Sequence, residues 1–238
     1  MEKTQHIVIL AAGDFPCRRE LISLLADADL VVCCDSAYEG ILAHRDFFAS
    51  IPNFVVIGDG DSLSADAKKE LGDRWIQVDE QDYNDLHKAM QYAINNYCLS
   101  QQAFEIPPYG GKQHYGVEKT HFSILGATGR REDHTIGNIS YLVTFAEEYP
   151  DADIEMLTDY GRFTAMKGVR NYASFPRQQV SIFSMEPDKP IYGKGLKWSL
   201  DGFHARRWWQ ATLNEALADS FQLRSEGWLI VFQTYEPK

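Results

Sequence analysis

The chain is short of positive charge: Lys and Arg number 23 against 34 Asp and Glu, giving a formal net charge of −11 over 238 residues. Nucleic acids and anionic membranes are bound through clustered cations, so this deficit argues against a general surface for either. A small phosphorylated ligand needs only a local positive patch. Cysteine is scarce, with Cys17, Cys33, Cys34 and Cys98 the full set. They form no C-x-x-C pair, so neither a disulfide framework nor a zinc site is expected, and the thiols read as reduced and mostly buried. No apolar run is long enough to span a bilayer, and the charged start followed by a short strand-like segment lacks a signal-peptide layout. A cytoplasmic protein is the expectation. Internal repeats, low-complexity tracts, Walker spacing and G-x-G-x-x-G are also missing, so no well-marked nucleotide loop declares itself.

What is present is a long alternation of strand and helix patterns. The length suits one large domain or two small ones, and two fit the pattern better. His6 to Ala12 reads as a strand, 17–26 as a helix and Leu30 to Cys34 as a second buried strand. Val55-Val56-Ile57-Gly58 reads as a central strand buried on both faces, followed by a short helix near 64–71 and a strand at 75–78. Residues 83–97 carry the strongest helical period, with Leu86, Ala89, Met90, Ala93, Ile94 and Tyr97 on one face and Asp82 or Asn84 able to cap the start. Residues 99–119 contain Pro107-Pro108 and Gly110-Gly111 without periodicity and read as a long loop. A strand at 120–125 and a helix with Ile136, Ile139, Leu142, Val143 and Ala146 on its apolar side complete an open parallel sheet. Its ligand crevice belongs at the carboxyl ends of the strands.

The polar candidates gather at those ends. Beyond the central strand, Asp59 and Asp61 flank a single glycine, a spacing that lets two carboxylates converge on one hard cation such as magnesium. An Asp/Gly turn that merely closes the strand is the plain alternative. A calcium loop of the EF-hand type fails at Ser64 and Leu63, where glycine and a ligand are required. Asp35 follows the second strand in the same way, and Asp85 lies in the first turn of the 83–97 helix, where it is either a third ligand or only a favourable charge at the helix start. Gly126 to His134 form a glycine-rich turn between strand and helix, in which Arg130 or Arg131 adds a guanidinium for phosphate. The competing account has several of these carboxylates serving only as helix caps.

After Asp159 the grammar changes to short strand-like runs at 162–167, 172–175, 179–185, 196–200, 220–224 and 228–235, spaced by Gly, Pro, Asp and Asn. This pattern predicts a smaller all-β sandwich. The expected organisation is an α/β domain over 1–159 and a β-sandwich over 160–238.

In order, Asp35, Ile57-Gly58-Asp59-Gly60-Asp61-Ser62, Gln81-Asp82-Tyr83-Asn84-Asp85 with Lys88, and Gly129-Arg130-Arg131-Glu132-Asp133-His134 resemble the thiamine pyrophosphokinase family. Gly195-Leu196-Lys197-Trp198-Ser199-Leu200 is similar to the family's thiamine-side strand. The resemblance implies an α/β catalytic domain and a β-sandwich domain that transfer diphosphate from ATP to thiamine, with magnesium, releasing AMP. It implies Asp59, Asp61 and Asp85 as magnesium ligands, Arg131 on the transferred group and Asp133 orienting Arg131 or the substrate. Asp35, Gln81, Asn84 and Lys88 would lie on the nucleotide side, and Trp198 and Asn214 on the thiamine side. For Trp198 a buried sandwich tryptophan is the competing reading. The resemblance further implies a homodimer whose active sites are shared between subunits. The chain departs from the family at Ser36-Ala37, where paired glycines are usual, at Asn84, where threonine is usual, and at Leu213, where serine is usual. Two other readings remain: another magnesium-dependent phosphotransferase on the same scaffold, and a non-enzymatic thiamine- or nucleotide-binding regulator.

Overall fold

The structure is a computed structural model that describes residues 4–44, 51, 53–61, 63–79, 82–98 and 120–237. Gln81 and the expected loop at 99–119 lie outside the described residues. The chain divides into two compact units, one of residues 1–141 and 147–159, the other of 142–146 and 160–238.

In the first unit, β1 (Gln5–Leu10), β2 (Leu30–Cys34), β3 (Phe54–Gly58), β4 (Trp75–Gln77), β5 (Thr120–Leu125) and β6 (Asp153–Leu157) form parallel ladders in the order β4-β3-β2-β1-β5-β6. Every residue of β2 is buried, as a strand covered on both faces requires. One face carries Val8, Leu10, Val31, Cys33 and Val56 against Leu21 and Leu25 of α1 (Arg19–Asp27) and Tyr38 and Ile41 of α2 (Ala37–Ala43). Leu71, which ends α3 (Ala65–Leu71), joins the same cluster. Against β1, β2 and β3 packs α4 (Asp85–Ala93), with Leu86, Ala89, Met90 and Ala93 buried. Its cap is Asn84, whose side-chain oxygen accepts from the His87 N–H at 3.0 Å. The α-helix stops short of the expected 97, because residues Ile94–Cys98 widen into a π turn.

The chain runs outward from β1 to β4 and returns to place β5 beside β1, so the order of the strands reverses between those two, which themselves run parallel. Ligand crevices of open α/β sheets form at such a reversal. Past the strand ends the two segments stay bonded, Ala11 N–H to the Leu125 carbonyl at 2.8 Å, Gly13 N–H to the Gly126 carbonyl at 2.6 Å and Asp14 N–H to the Thr128 carbonyl at 2.8 Å. From there α5 (Glu132–Glu148) departs. Its expected apolar side is only partly realised: Leu142 is buried but Ile136 is 53% exposed, which a 3.6-residue period alone cannot distinguish.

At the opposite end of β1, β5 and β6, His121 places Nδ1 2.9 Å from Asp153 Oδ2 and Nε2 3.3 Å from Glu155 Oε1. These carboxylates raise its pKa to about 9 against the opposing effect of burial. The ring of His6 lies 5.2 Å away, and burial, then the His121 charge, lower its pKa. A base with a raised folded pKa adds stability that is complete below its unfolded value of about 6.5 and is lost as pH rises through the folded one. The melting temperature is therefore expected to fall between pH 7 and 9.5 more steeply in the wild type than in His121→Gln. Equal slopes in the two melting profiles would remove His121 as the cause.

The second unit is antiparallel. β7 (Gly161–Ala173, 13 residues) pairs with β11 (Ser220–Pro237, 18 residues) along most of its length. The other partners of β11 are β8 (Gln178–Ser184) toward its carboxyl end and β9 (Ile191–Lys194) toward its amino end, while β10 (Asn214–Glu215) pairs with β8. The four separate runs expected at 162–167, 172–175, 220–224 and 228–235 are thus two long strands. The punctuation that divides them in sequence is an irregularity, since Ser225 pairs Gly168 but Leu229 already pairs Met166. Such a bulge bends a strand without ending it. The expected strand at 196–200 is instead a loop, tied beside β10 by the Leu196–Ala216 bridge and by the Lys197 N–H donating to the Glu215 carbonyl at 2.9 Å. Met166, Tyr172, Val180, Ile182, Ile191, Phe221, Leu223, Leu229 and Val231 fill the interior of this unit.

Candidate active site

Three aspartates converge beyond β2 and β3. Asp35, Asp59 and Asp61 each offer a carboxylate oxygen within 4.8 Å of the others. Their burial is graded: Asp35 is 3% exposed, Asp59 half-buried and Asp61 exposed. Asp35 is held by the ladder, its N–H donating to the Ile57 carbonyl at 2.8 Å. Gly58 makes room for it, because a β-carbon there would meet Asp35 Cβ at 2.8 Å. Asp59 Oδ1 accepts the Asp61 N–H at 3.1 Å, which folds the turn back on itself. Between them Gly60 adopts φ 81°, and a β-carbon would strike Lys68 Nζ at 2.6 Å and the Trp75 ring at 2.8 Å. The positive φ and the Trp75 ring together favour glycine there, while the lysine tip could swing aside.

Asp85 lies outside the trio yet senses it. Burial raises its pKa, as do the charges of Asp59 and Asp61, while Lys88 lowers it. Lys88 is buried, with Nζ 3.5 Å from Asp85 Oδ1. Burial first, and then the charges of Asp85 and Asp35, push the Cys34 thiol well up, so this cysteine is an inert part of the wall.

At the end of β5 the Arg131 guanidinium grips Asp133 in a fork, Nε to Oδ1 at 3.1 Å and Nη2 to Oδ2 at 2.6 Å. Asp133 also accepts the His134 N–H at 2.9 Å, and its carboxyl is held below the usual range by the Arg131 hydrogen bond. Both side chains are largely exposed. A bidentate pair fixes the plane of the guanidinium.

Sequence reasoning passed over the struts of this region. Asn84 Nδ2 donates to Asn138 Oδ1 at 3.0 Å, and Asn138 Nδ2 to the Ala127 carbonyl at 2.9 Å, so the start of α4 is tied through α5 to the turn after β5. Buried His87 stacks on Tyr83 at 4.2 Å and meets Glu148 Oε2 at 3.3 Å. The i, i+4 placement of Tyr83 and His87 was the available signal.

The second-unit candidates, Trp198 and Asn214, are joined to each other. Asn214 Oδ1 accepts the Trp198 N–H at 3.1 Å and Nδ2 donates to the Trp198 carbonyl at 2.9 Å. Asn214 is buried, whereas Trp198 is 51% exposed. The indole is therefore displayed on a clamped loop, and the buried-tryptophan alternative is excluded. Lys197 Nζ lies 5.0 Å from the indole centroid and 3.1 Å from Glu215 Oε2.

An open parallel unit with a carboxylate cluster past its strand tips, followed by an antiparallel unit, is a two-part α/β architecture whose cluster suits a hard cation. The family model described as "Thiamin pyrophosphokinase, catalytic domain" matches residues 21–154, and that described as "Thiamin pyrophosphokinase, substrate-binding domain" matches residues 161–232. The chain belongs to the thiamin pyrophosphokinase family. Its fold is similar to that of the thiamin pyrophosphokinase from Candida albicans, with 18% identity and a TM-score of 0.75 over 98% of this chain and 93% of that one. The yeast enzyme gives 17% identity and 0.75 over 98% and 87%. The enzyme from Geobacillus thermodenitrificans gives 21% and 0.69 over 98% of both. Among curated proteins no sequence match was found. Among the described residues, no helix is long and apolar enough to cross a membrane.

Proposed function

We infer that this protein transfers the terminal diphosphate of ATP to the hydroxyethyl group of thiamine, giving thiamine diphosphate and AMP. The observation that carries the reading is the convergence of Asp35, Asp59 and Asp61 within the span of the family's catalytic domain. Carboxylate oxygens are the donors that magnesium takes, and three within reach of one ion suit a site completed by water and phosphate oxygens. Magnesium held there would neutralise the polyphosphate and so favour attack at phosphorus. Asp85, whose charge is linked to the trio, and its partner Lys88 would set the electrostatics of the same pocket.

The chemistry is an in-line displacement. The alcohol oxygen of thiamine bonds to the β-phosphorus, the bond from that phosphorus to the α,β-bridging oxygen breaks, and its electron pair leaves with AMP. The alcohol proton passes to solvent. Positioning and charge stabilisation dominate such a step. Arg131, held in orientation by Asp133, would face the transferred group, and Asn84 would act as a strut at the nucleotide side. The exposed Trp198 ring would stack on thiamine, with Asn214 holding its backbone in place. On this reading residues 1–159 take ATP and magnesium and residues 160–238 take thiamine, in a homodimer whose sites combine both subunits. Four cysteines without disulfide partners suit a reducing compartment, the cytoplasm.

Incubation with ATP, magnesium and thiamine should yield AMP and thiamine diphosphate in equal amounts. Turnover with another acceptor alone would point to a different phosphotransferase, and binding without AMP to a regulator. Trp198→Ala is expected to raise the KM for thiamine about tenfold or more and to leave that for ATP little changed, since an aromatic platform adds about 1 kcal/mol beyond the area it covers. A rise confined to ATP would place Trp198 elsewhere.

A further inference from the structure

We propose that Arg130 is a polyphosphate-binding residue, latched by the Ala12 carbonyl across the bonded turns that follow β1 and β5; this rests on the ATP-dependent reading above. Arg130 occupies the turn after β5, and its Nη1 donates to Ala12 O at 3.2 Å, bridging the two loops that leave the sheet where the strand order reverses. That reversal is where ligands of open α/β sheets bind. The backbone of Arg130 has φ 56°, a left-handed conformation that a side chain adopts at a cost and that persists where the surroundings impose it, often at functional sites.

Charge separates it from its neighbour. Arg131 is matched by the Asp133 carboxylate, whereas among the described residues no carboxylate pairs with Arg130. Its bond to Ala12 engages one of five guanidinium donors, leaving the others for an anion. In a chain of net charge −11, an exposed guanidinium without a carboxylate partner among the described residues, on the turns past β1 and β5, supplies the local positive charge that a triphosphate requires. The Ala12 latch restricts a long side chain in advance, so less of its freedom is lost when the ligand arrives.

Three substitutions separate binding from mere support. Arg130→Gly removes the guanidinium together with the left-handed strain, Arg130→Ala removes the guanidinium and keeps the strain, and Arg130→Lys keeps the charge. Affinity for magnesium–ATP, measured by calorimetry, is expected to fall about tenfold or more in the glycine and alanine variants alike. The glycine variant should nevertheless melt above the alanine variant, and lysine should recover part of the affinity. Wild-type affinity in folded Arg130→Gly would overturn the proposal, as would a loss in Arg130→Ala that glycine repairs. If the glycine variant fails to fold, equal affinities for the alanine and lysine variants would overturn it. Failure of the wild type to make thiamine diphosphate would instead sink the activity reading, because calorimetry reads ATP binding by itself.

Discussion

Asp61→Asn is expected to lower turnover by roughly 100-fold to 10,000-fold while the protein stays folded. The size follows from the several kcal/mol that a metal-centred charge contributes to such a transfer, at about 1.4 kcal/mol per factor of ten. Asp61 is the safest member of the trio to change. It is exposed, and the bond that shapes its turn runs from its own N–H to Asp59 Oδ1, which asparagine at position 61 leaves intact. Removing Asp35 would open a buried position against the tip of β3. The substitution also has an electrostatic signature. Because Asp61 is one of the charges that raise the Asp85 pKa, that pKa should drop in the variant, a change that carbon-detected NMR of the carboxyl group can follow. Near-normal turnover of folded Asp61→Asn at saturating magnesium would remove the carboxylate cluster from the mechanism.

The part of this site that sequence reveals is the part built within one strand and its turn. The run Val55-Val56-Ile57 followed by Gly58-Asp59-Gly60-Asp61 announces a buried strand and a cation-suited tip, because period and spacing are local properties. The third member of the cluster is not local. Asp35 joins Asp59 and Asp61 only because its N–H bonds to Ile57 across the β2–β3 ladder, and register between strands leaves no trace in spacing. Asp85, the third ligand that the resemblance implies, stands outside this trio with Lys88 Nζ 3.5 Å from its Oδ1, a contact that leaves its other oxygen open to an ion. Arg130 shows a further limit: nothing in an arginine signals a left-handed backbone, so its latch to Ala12 emerges only from the loop geometry. In the second unit the opposite error arises. Residues near 168 and 226–228 look like breaks between strands, yet a bulge lets β7 and β11 continue through them. The 196–200 run has the composition of a strand but is held as a loop by the Asn214 amide, which satisfies both backbone groups of Trp198.

Mixing two inactive proteins is expected to restore activity if the sites are shared between subunits. The phosphate-side candidates all precede position 160 and the acceptor-side candidates Trp198 and Asn214 follow it, so a subunit damaged on one side keeps the other side whole. Exposed aromatic and aliphatic residues of the second unit, among them Tyr160, Trp208, Trp209 and Leu217, offer the apolar surface that an association would cover. A twofold dimer makes its two contacts equivalent. Asp61→Asn subunits would be combined with a severely thiamine-defective Trp198 variant, allowed to exchange, and assayed at limiting thiamine. In a shared-site dimer each heterodimer holds one intact site and one doubly defective site. Random exchange of equal amounts makes half of the dimers mixed, so about a quarter of all sites should become intact. Sites contained within single chains would gain nothing from the mixture, because each chain would still carry its own defect. If native mass spectrometry confirms exchange and activity remains at the average of the two parents, each active site belongs to a single subunit.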